Sequence, residues 1–212
     1  MAPQRKSEPR RFGNLRRSKN IRELRRRVLI VCEGEKTEPN YFNAFRTTGL
    51  DVDVVGKGGD PLNVVKVAQR YADKPPNDRL FHEVWCVFDR DETSISPERF
   101  NEAIERAKRT GINVAYSNPC FELWYLLHFQ PYNTPSSCAD CCSKLEKAMR
   151  AMRIQYRKNA DDMFDLLAGR QAEAIRRAAQ LLGQPELPGQ EHNNPSTTVH
   201  KLVKRLNDYR KR

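Results

Sequence analysis

The chain has 212 residues, 38% hydrophobic and 31% charged, with a formal net charge of +11. That is enough for one sizeable α/β domain with an appendage, or at most two small domains. No apolar run approaches the roughly 18–20 residues of a membrane span, and no apolar stretch marks a secretion leader, so a cytoplasmic chain without membrane contact is expected.

The charge is uneven. Residues 1–27 carry eleven Lys or Arg against Glu8 and Glu23, a local +9 that leaves about +2 for everything else. Residues 1–26 therefore read as a basic, flexible tail. Its Arg16, Arg17, Arg25 and Arg26 form the kind of cluster that a phosphate backbone attracts through counterion release. A solvated extension that aids solubility is the plainer reading.

The pattern then becomes regular. Arg27 to Cys32 is a continuous apolar run, as a buried parallel strand requires. Glu38 to Phe45 reads as a helix with proline in its first turn. Asp51 to Val55 alternates as a second strand. Asp60-Pro61 caps a helix whose apolar positions are Leu62, Val65, Ala68 and Tyr71. Glu83 to Phe88 is the third strand, Pro97 to about Arg109 the next helix, Ile112 to Tyr116 the fourth strand, and Phe121 to Phe129 an aromatic and leucine-rich helix. Alternating strands and helices predict an α/β fold with a mostly parallel sheet flanked by helices. Pro131, Pro135 and a Ser/Cys cluster mark a boundary, giving a first domain over 27–130. Residues 131–212 follow as a helical C-terminal region, with helices near 139–153, 160–182 and 197–211.

Two acidic motifs fall at the carboxyl ends of strands, where α/β sheets place their chemistry. Glu33-Gly34-Glu35 closes the first strand and Asp89-Arg90-Asp91-Glu92 closes the third. Carboxylates gathered there repel one another unless a cation lies among them, and hard oxygen ligands suit Mg²⁺ or Mn²⁺. The plain alternative is a solvated acidic rim. Lys36 and Thr37 stand near a helix N-terminus, where free N–H groups favour anions. Asn118 and Glu122 follow the fourth strand at the same edge and can support the site from behind. His128 reads as a core residue. Gly56-Lys57-Gly58-Gly59 lacks the spacing of a P-loop, so no nucleotide cofactor is expected.

Six cysteines are present. Cys138-Ala139-Asp140-Cys141 is one CxxC half-site without a second half at useful spacing, so free thiols are expected and zinc is not.

The strings CEGEKTEPNYF, VFDRDE, SNPCFELWYLLHF and NPSTTVHKLV resemble the RloB family, and the resemblance runs from about residue 28 to the C-terminus. Glu33-Gly34 followed by Asp89-x-Asp91 is also similar to the Toprim signature of topoisomerases, primases and OLD-type nucleases. The resemblance implies a Toprim-like domain and a metal-dependent nuclease acting on DNA or RNA in abortive-infection or restriction loci. It implies Glu33 as an acid/base or metal-proximal group, with Asp89 and Asp91 as metal ligands; Glu35, in the loop after the first strand, is a reserve ligand by position, and Lys158, in the family-like Tyr156-Arg157-Lys158 string, a candidate phosphate contact. A separate AAA- or ABC-type ATPase is the implied partner, and a homo-oligomer is compatible with it. Larger Toprim enzymes often carry a glycine after the second aspartate, where this chain carries Glu92-Thr93. Two other readings remain open: a non-catalytic nucleic-acid-binding subunit on the same scaffold, and a receiver-like domain, which lacks its lysine after strand four.

Overall fold

The computed structural model describes residues 25–47, 49–56, 59–90, 95–183 and 193–210. Asp91, Arg16 and Arg17, and most of the expected basic tail with them, lie outside the described residues.

Five strands form one sheet in the order β2-β1-β3-β4-β5. The strands are β1 (Arg26–Cys32), β2 (Leu50–Gly56), β3 (Glu83–Asp89), β4 (Asn113–Asn118) and β5 (Ser196–Thr197). The first four are mutually parallel, and only β5 runs antiparallel, against β4. The α/β class, the mostly parallel sheet and the helical C-terminal region are as the sequence predicts.

The strands are apolar on both faces because both faces are covered. Val28, Ile30 and Cys32 of β1, with Trp85 and Val87 of β3, enter one hydrophobic cluster. Their alternates Leu29, Val31, Cys86 and Phe88 enter the other. That alternation is the two-residue period of a strand with a core on each side. Helices α2 (Pro61–Asp73) and α3 (Pro97–Arg109) pack on the second cluster. Asp60 caps α2 by accepting the Asn63 N–H at 3.0 Å, and Ser96 caps α3 through Arg99; each helix has proline in its first turn.

The first cluster is built by α1 (Thr37–Asn43), α4 (Glu122–Leu126), α5 (Cys138–Ala151), α6 (Met163–Ala168), α7 (Gln171–Leu182) and α8 (Val199–Arg210). The C-terminal helices thus share a core with α1 and α4. The helix expected over 160–182 is two helices, because the chain turns at Gly169 and Arg170. β5 has no counterpart in the sequence reading. Its Thr197 Oγ1 donates to the Tyr116 carbonyl at 3.0 Å, and the Tyr116 N–H donates to Thr198 Oγ1 at 2.9 Å. The Pro195-Ser196-Thr197-Thr198 string is a clamp on the edge of β4.

The chain leaves β1 through α1 on one face and leaves β3 through α3 on the other. The order reverses between these two strands, which makes their carboxyl ends the switch point where open α/β sheets form a crevice. Among the described residues no helix is long and apolar enough to cross a membrane.

Candidate functional site

At that switch point lies a cleft of about 320 Å³, lined by Glu33, Glu38, Asp89, Glu122 and Lys158 among others. Glu33, Glu38 and Asp89 are each held by a backbone N–H. Glu33 follows β1 directly. Its own N–H donates to the Val87 carbonyl at 2.9 Å, and its Oε2 accepts the Asp89 N–H at 3.0 Å. Glu33 therefore ties the ends of β1 and β3 together. Asp89, the last residue of β3, accepts the Phe121 N–H on Oδ2 at 3.0 Å. Its other oxygen, Oδ1, is enclosed and has no hydrogen-bond partner among the described residues.

Glu38 was not among the site residues expected from sequence. It sits in the first turn of α1, is buried, and accepts the Gly34 N–H at 3.3 Å. The glycine is needed: a Cβ on Gly34 would lie 2.1 Å from Glu38 Oε2. The signal was present in Glu35-Lys36-Thr37-Glu38, four polar residues after a buried strand, but only the fold separates the exposed Glu35 from the buried Glu38. Glu122 opens α4, is also buried, and accepts from the Tyr156 hydroxyl at 3.2 Å.

Electrostatics follow from this crowding. Burial, then the charges of Glu38, Glu122 and Glu33, hold the Asp89 carboxyl well above the usual carboxylate range, against the lowering effect of the Phe121 N–H. Burial raises Glu38 as well; Glu122 adds to the rise, while the Gly34 N–H and Lys158 oppose it. A set of carboxylates that cannot all ionise together is the electrostatic form of a cation site.

Lys158 reaches the cleft from the loop between α5 and α6. Asn159 anchors that loop, accepting from Thr37 Oγ1 at 2.7 Å and, through its carbonyl, from Asn40 at 2.9 Å. Its backbone is left-handed, with φ 63°. Glu35 and Lys36 line the exposed rim. Asn118 is buried at the end of β4, in register with Ser196, and does not line the cleft. Arg25 and Arg26 stand at the start of β1, about 20 Å from the cleft at the rise of a parallel strand. There Arg25 pairs with Asp51 at 3.8 Å and the Arg26 guanidinium lies 5.8 Å from the Tyr209 ring centre. His128 packs against Trp124 and bonds its carbonyl at 2.8 Å, and burial lowers its pKa to about 4.

The cysteines depart from expectation. Cys120 and Cys138, read from sequence as free thiols, are paired as a disulfide on the wall of the cleft; Cys32, Cys86, Cys141 and Cys142 are free. The reason is tertiary. The start of α5 lies on the junction between β4 and α4 and brings the two Cα atoms to 5.6 Å, within disulfide reach.

The model of the family described as RloB-like protein matches residues 28–206. No curated protein and no solved structure matches the chain. The match spans most of the chain, including the cleft: this chain belongs to the RloB-like family.

Proposed function

From that membership and from the cleft, we propose that the chain is a Mg²⁺- or Mn²⁺-dependent nuclease with a Toprim-like catalytic domain, cleaving phosphodiester bonds in DNA or RNA. In this reading it acts in the cytoplasm as the effector of an anti-phage, abortive-infection module, beside a separate AAA- or ABC-type ATPase. The observation that carries the reading is Asp89 Oδ1: an enclosed oxygen without a hydrogen-bond partner among the described residues, on a carboxyl that feels the charges of Glu38, Glu122 and Glu33. Leaving such an oxygen unsatisfied is costly, and a hard cation satisfies it.

The donor set fits Mg²⁺ or Mn²⁺, since the cleft offers carboxylates from three elements. Asp89 and Glu33 would hold the ion, with Glu38 behind them and Asp91 and Glu35 as further candidate ligands. A bound Mg²⁺ acidifies a coordinated water and neutralises charge on the scissile phosphate. The remaining work falls to the chain. Glu33 fixes the Asp89 backbone, and Phe121 orients the Asp89 carboxylate. Lys158 and Lys36 present ammonium groups to phosphate oxygens at the mouth of the cleft. The basic residues 1–26 add sequence-independent attraction to a polyanion.

The test is cleavage of plasmid, single-stranded DNA, total RNA and tRNA with Mg²⁺ or Mn²⁺, with and without a neighbouring ATPase. Wild type is run beside Glu33→Ala and Asp89→Ala. Cleavage that disappears in both variants and on chelation is the expected result. No cleavage under any condition, by a folded protein that still binds nucleic acid in a salt-sensitive way, would replace this reading with a non-catalytic binding subunit.

A further inference from the structure

On the α5 wall of the cleft, four donor atoms of a different kind converge. The sulfurs of Cys120, Cys138 and Cys142 and a carboxylate oxygen of Glu122 all lie within 4.8 Å of one another. A tetrahedral zinc with Zn–S bonds of about 2.3 Å needs its donors about 3.8 Å apart, so small side-chain adjustments suffice. We propose that, with Cys120 and Cys138 in the dithiol state, these four residues bind one thiophilic divalent cation, Zn²⁺ by the chemistry of the donors.

The fold builds the two halves separately. Cys120 and Glu122 come from the junction of β4 and α4. Cys138 and Cys142 are one helical turn apart on α5, so they share a face. The CxxC partner expected from sequence, Cys141, is not among the four and is fully buried in the core. The second half-site that the sequence spacing failed to supply is thus provided by tertiary structure, as Cys120 and Glu122.

Two further features suit a metal. The Tyr156 hydroxyl bonds Glu122 Oε1 at 3.2 Å, the support a ligating carboxylate usually receives. A capping box between Ser137 and Asp140 fixes the first turn of α5, and with it the direction of Cys138. Three sulfur donors select zinc over magnesium, so this centre differs chemically from the carboxylate cluster, with which it shares Glu122. Disulfide and metal are alternatives, because the bond between Cys120 and Cys138 withdraws two of the four donors. Filled, the centre would pin α5 to the β4–α4 junction.

The test uses the full chain reduced with a phosphine, which gives two electrons to the disulfide, returning it to two thiols, and becomes the phosphine oxide by taking its oxygen from water. The freed protein is loaded with Co²⁺, then with Zn²⁺. Wild type should take up about one zinc per chain, and cobalt should give intense visible bands with a thiolate-to-metal charge-transfer band that zinc abolishes. Cys142→Ser, which leaves the disulfide partners intact, and Cys138→Ser should each lose these bands. Cys86→Ala, a buried cysteine in the opposite cluster, should keep them, and circular dichroism confirms that each variant is folded. Cobalt held only by carboxylates gives weak bands without charge transfer. That spectrum in reduced wild type, no uptake at all, or the full spectrum in either folded serine variant would overturn the proposal.

Discussion

Asp51, Asp53 and Glu83, toward the amino-terminal side of the sheet, each meet arginine: Asp51 lies 3.4 Å from Arg79, Asp53 2.6 Å from Arg27, and Glu83 pairs with Arg205. Asp89, Glu33 and Glu38, at the carboxyl end, accept from the N–H groups of Phe121, Asp89 and Gly34 instead. The consequences are opposite in sign. Burial pushes Glu83 up, but the bonds from Arg205, Tyr209 and Trp85 outweigh it and hold the carboxyl below its ordinary range. Asp89 and Glu38 are held above theirs. A carboxylate neutralised by arginine is committed to holding the fold, whereas Asp89, whose Oδ1 has no hydrogen-bond partner among the described residues, keeps an oxygen to offer a ligand.

The largest effect expected is at the paired end. Arg27 is buried, bonds Asp53 and the carbonyls of Pro76 and Arg79, and lies 4.2 Å from the Phe81 ring centre. Arg27→Ala should cost about 3 kcal/mol, the low end for a broken buried pair because Asp53 is part-exposed. At about 2–4 °C per kcal/mol for a chain of this size, thermal melting should show a drop of roughly 6–12 °C. A loss below 2 °C would mean that the pair is ornamental.

Next is Gly34→Ala at the carboxyl end of the sheet. The obstructing atom is the far end of a flexible side chain, so the fold should survive while Glu38 is displaced from the cleft. Mn²⁺ affinity, measured by calorimetry, should fall about 10–100-fold, as when a supporting partner of a metal site is lost.

Asp89→Asn should act in the opposite direction to Arg27→Ala. A carboxyl whose folded pKa lies above its unfolded value binds protons more readily in the folded state. Its stability contribution is therefore complete below about pH 4, the unfolded value, and is lost as pH rises through the folded pKa. At neutral pH the metal-free carboxylate is a cost, and the amide, which still accepts from Phe121, should raise the melting temperature by about 2–4 °C. His128 and His200, each lowered by burial to a pKa of about 4, act the other way. They lose stability as pH falls below about 6.5, so the difference between variant and wild type across pH is the quantity to read. That difference should shrink from pH 8 toward pH 4.

The smallest change is expected for Arg205→Ala. Arg205 is nearly half exposed and Tyr209 still bonds Glu83, so chemical denaturation should register under about 1 kcal/mol.

Much of this contrast was legible in the sequence. Apolar runs ending in Glu33 and Asp89 gave strands and strand-end acids together, because a parallel strand buried on both faces leaves its first polar residue at its tip. Asp60-Pro61 and Pro97 gave helix starts because capping and a first-turn proline are local signals. What stayed hidden depended on long-range contact. Glu38 stands on the buried side of α1 while Glu35 lies in the exposed loop before it, and β5 is two residues whose partners lie about eighty positions away. The convergence of Cys120 with Cys138 needs α5 laid across the β4–α4 junction, and no spacing along the chain reports it.

The central claim is that Asp89 is kept unpaired in order to hold a hard cation. Titration of the full chain with Mn²⁺, followed by electron paramagnetic resonance in wild type and Asp89→Asn, tests it most directly. The account predicts saturable binding in wild type, displaced by Mg²⁺, and its loss in the variant even as the variant melts higher. Equal binding by both proteins, or none by wild type, would contradict it.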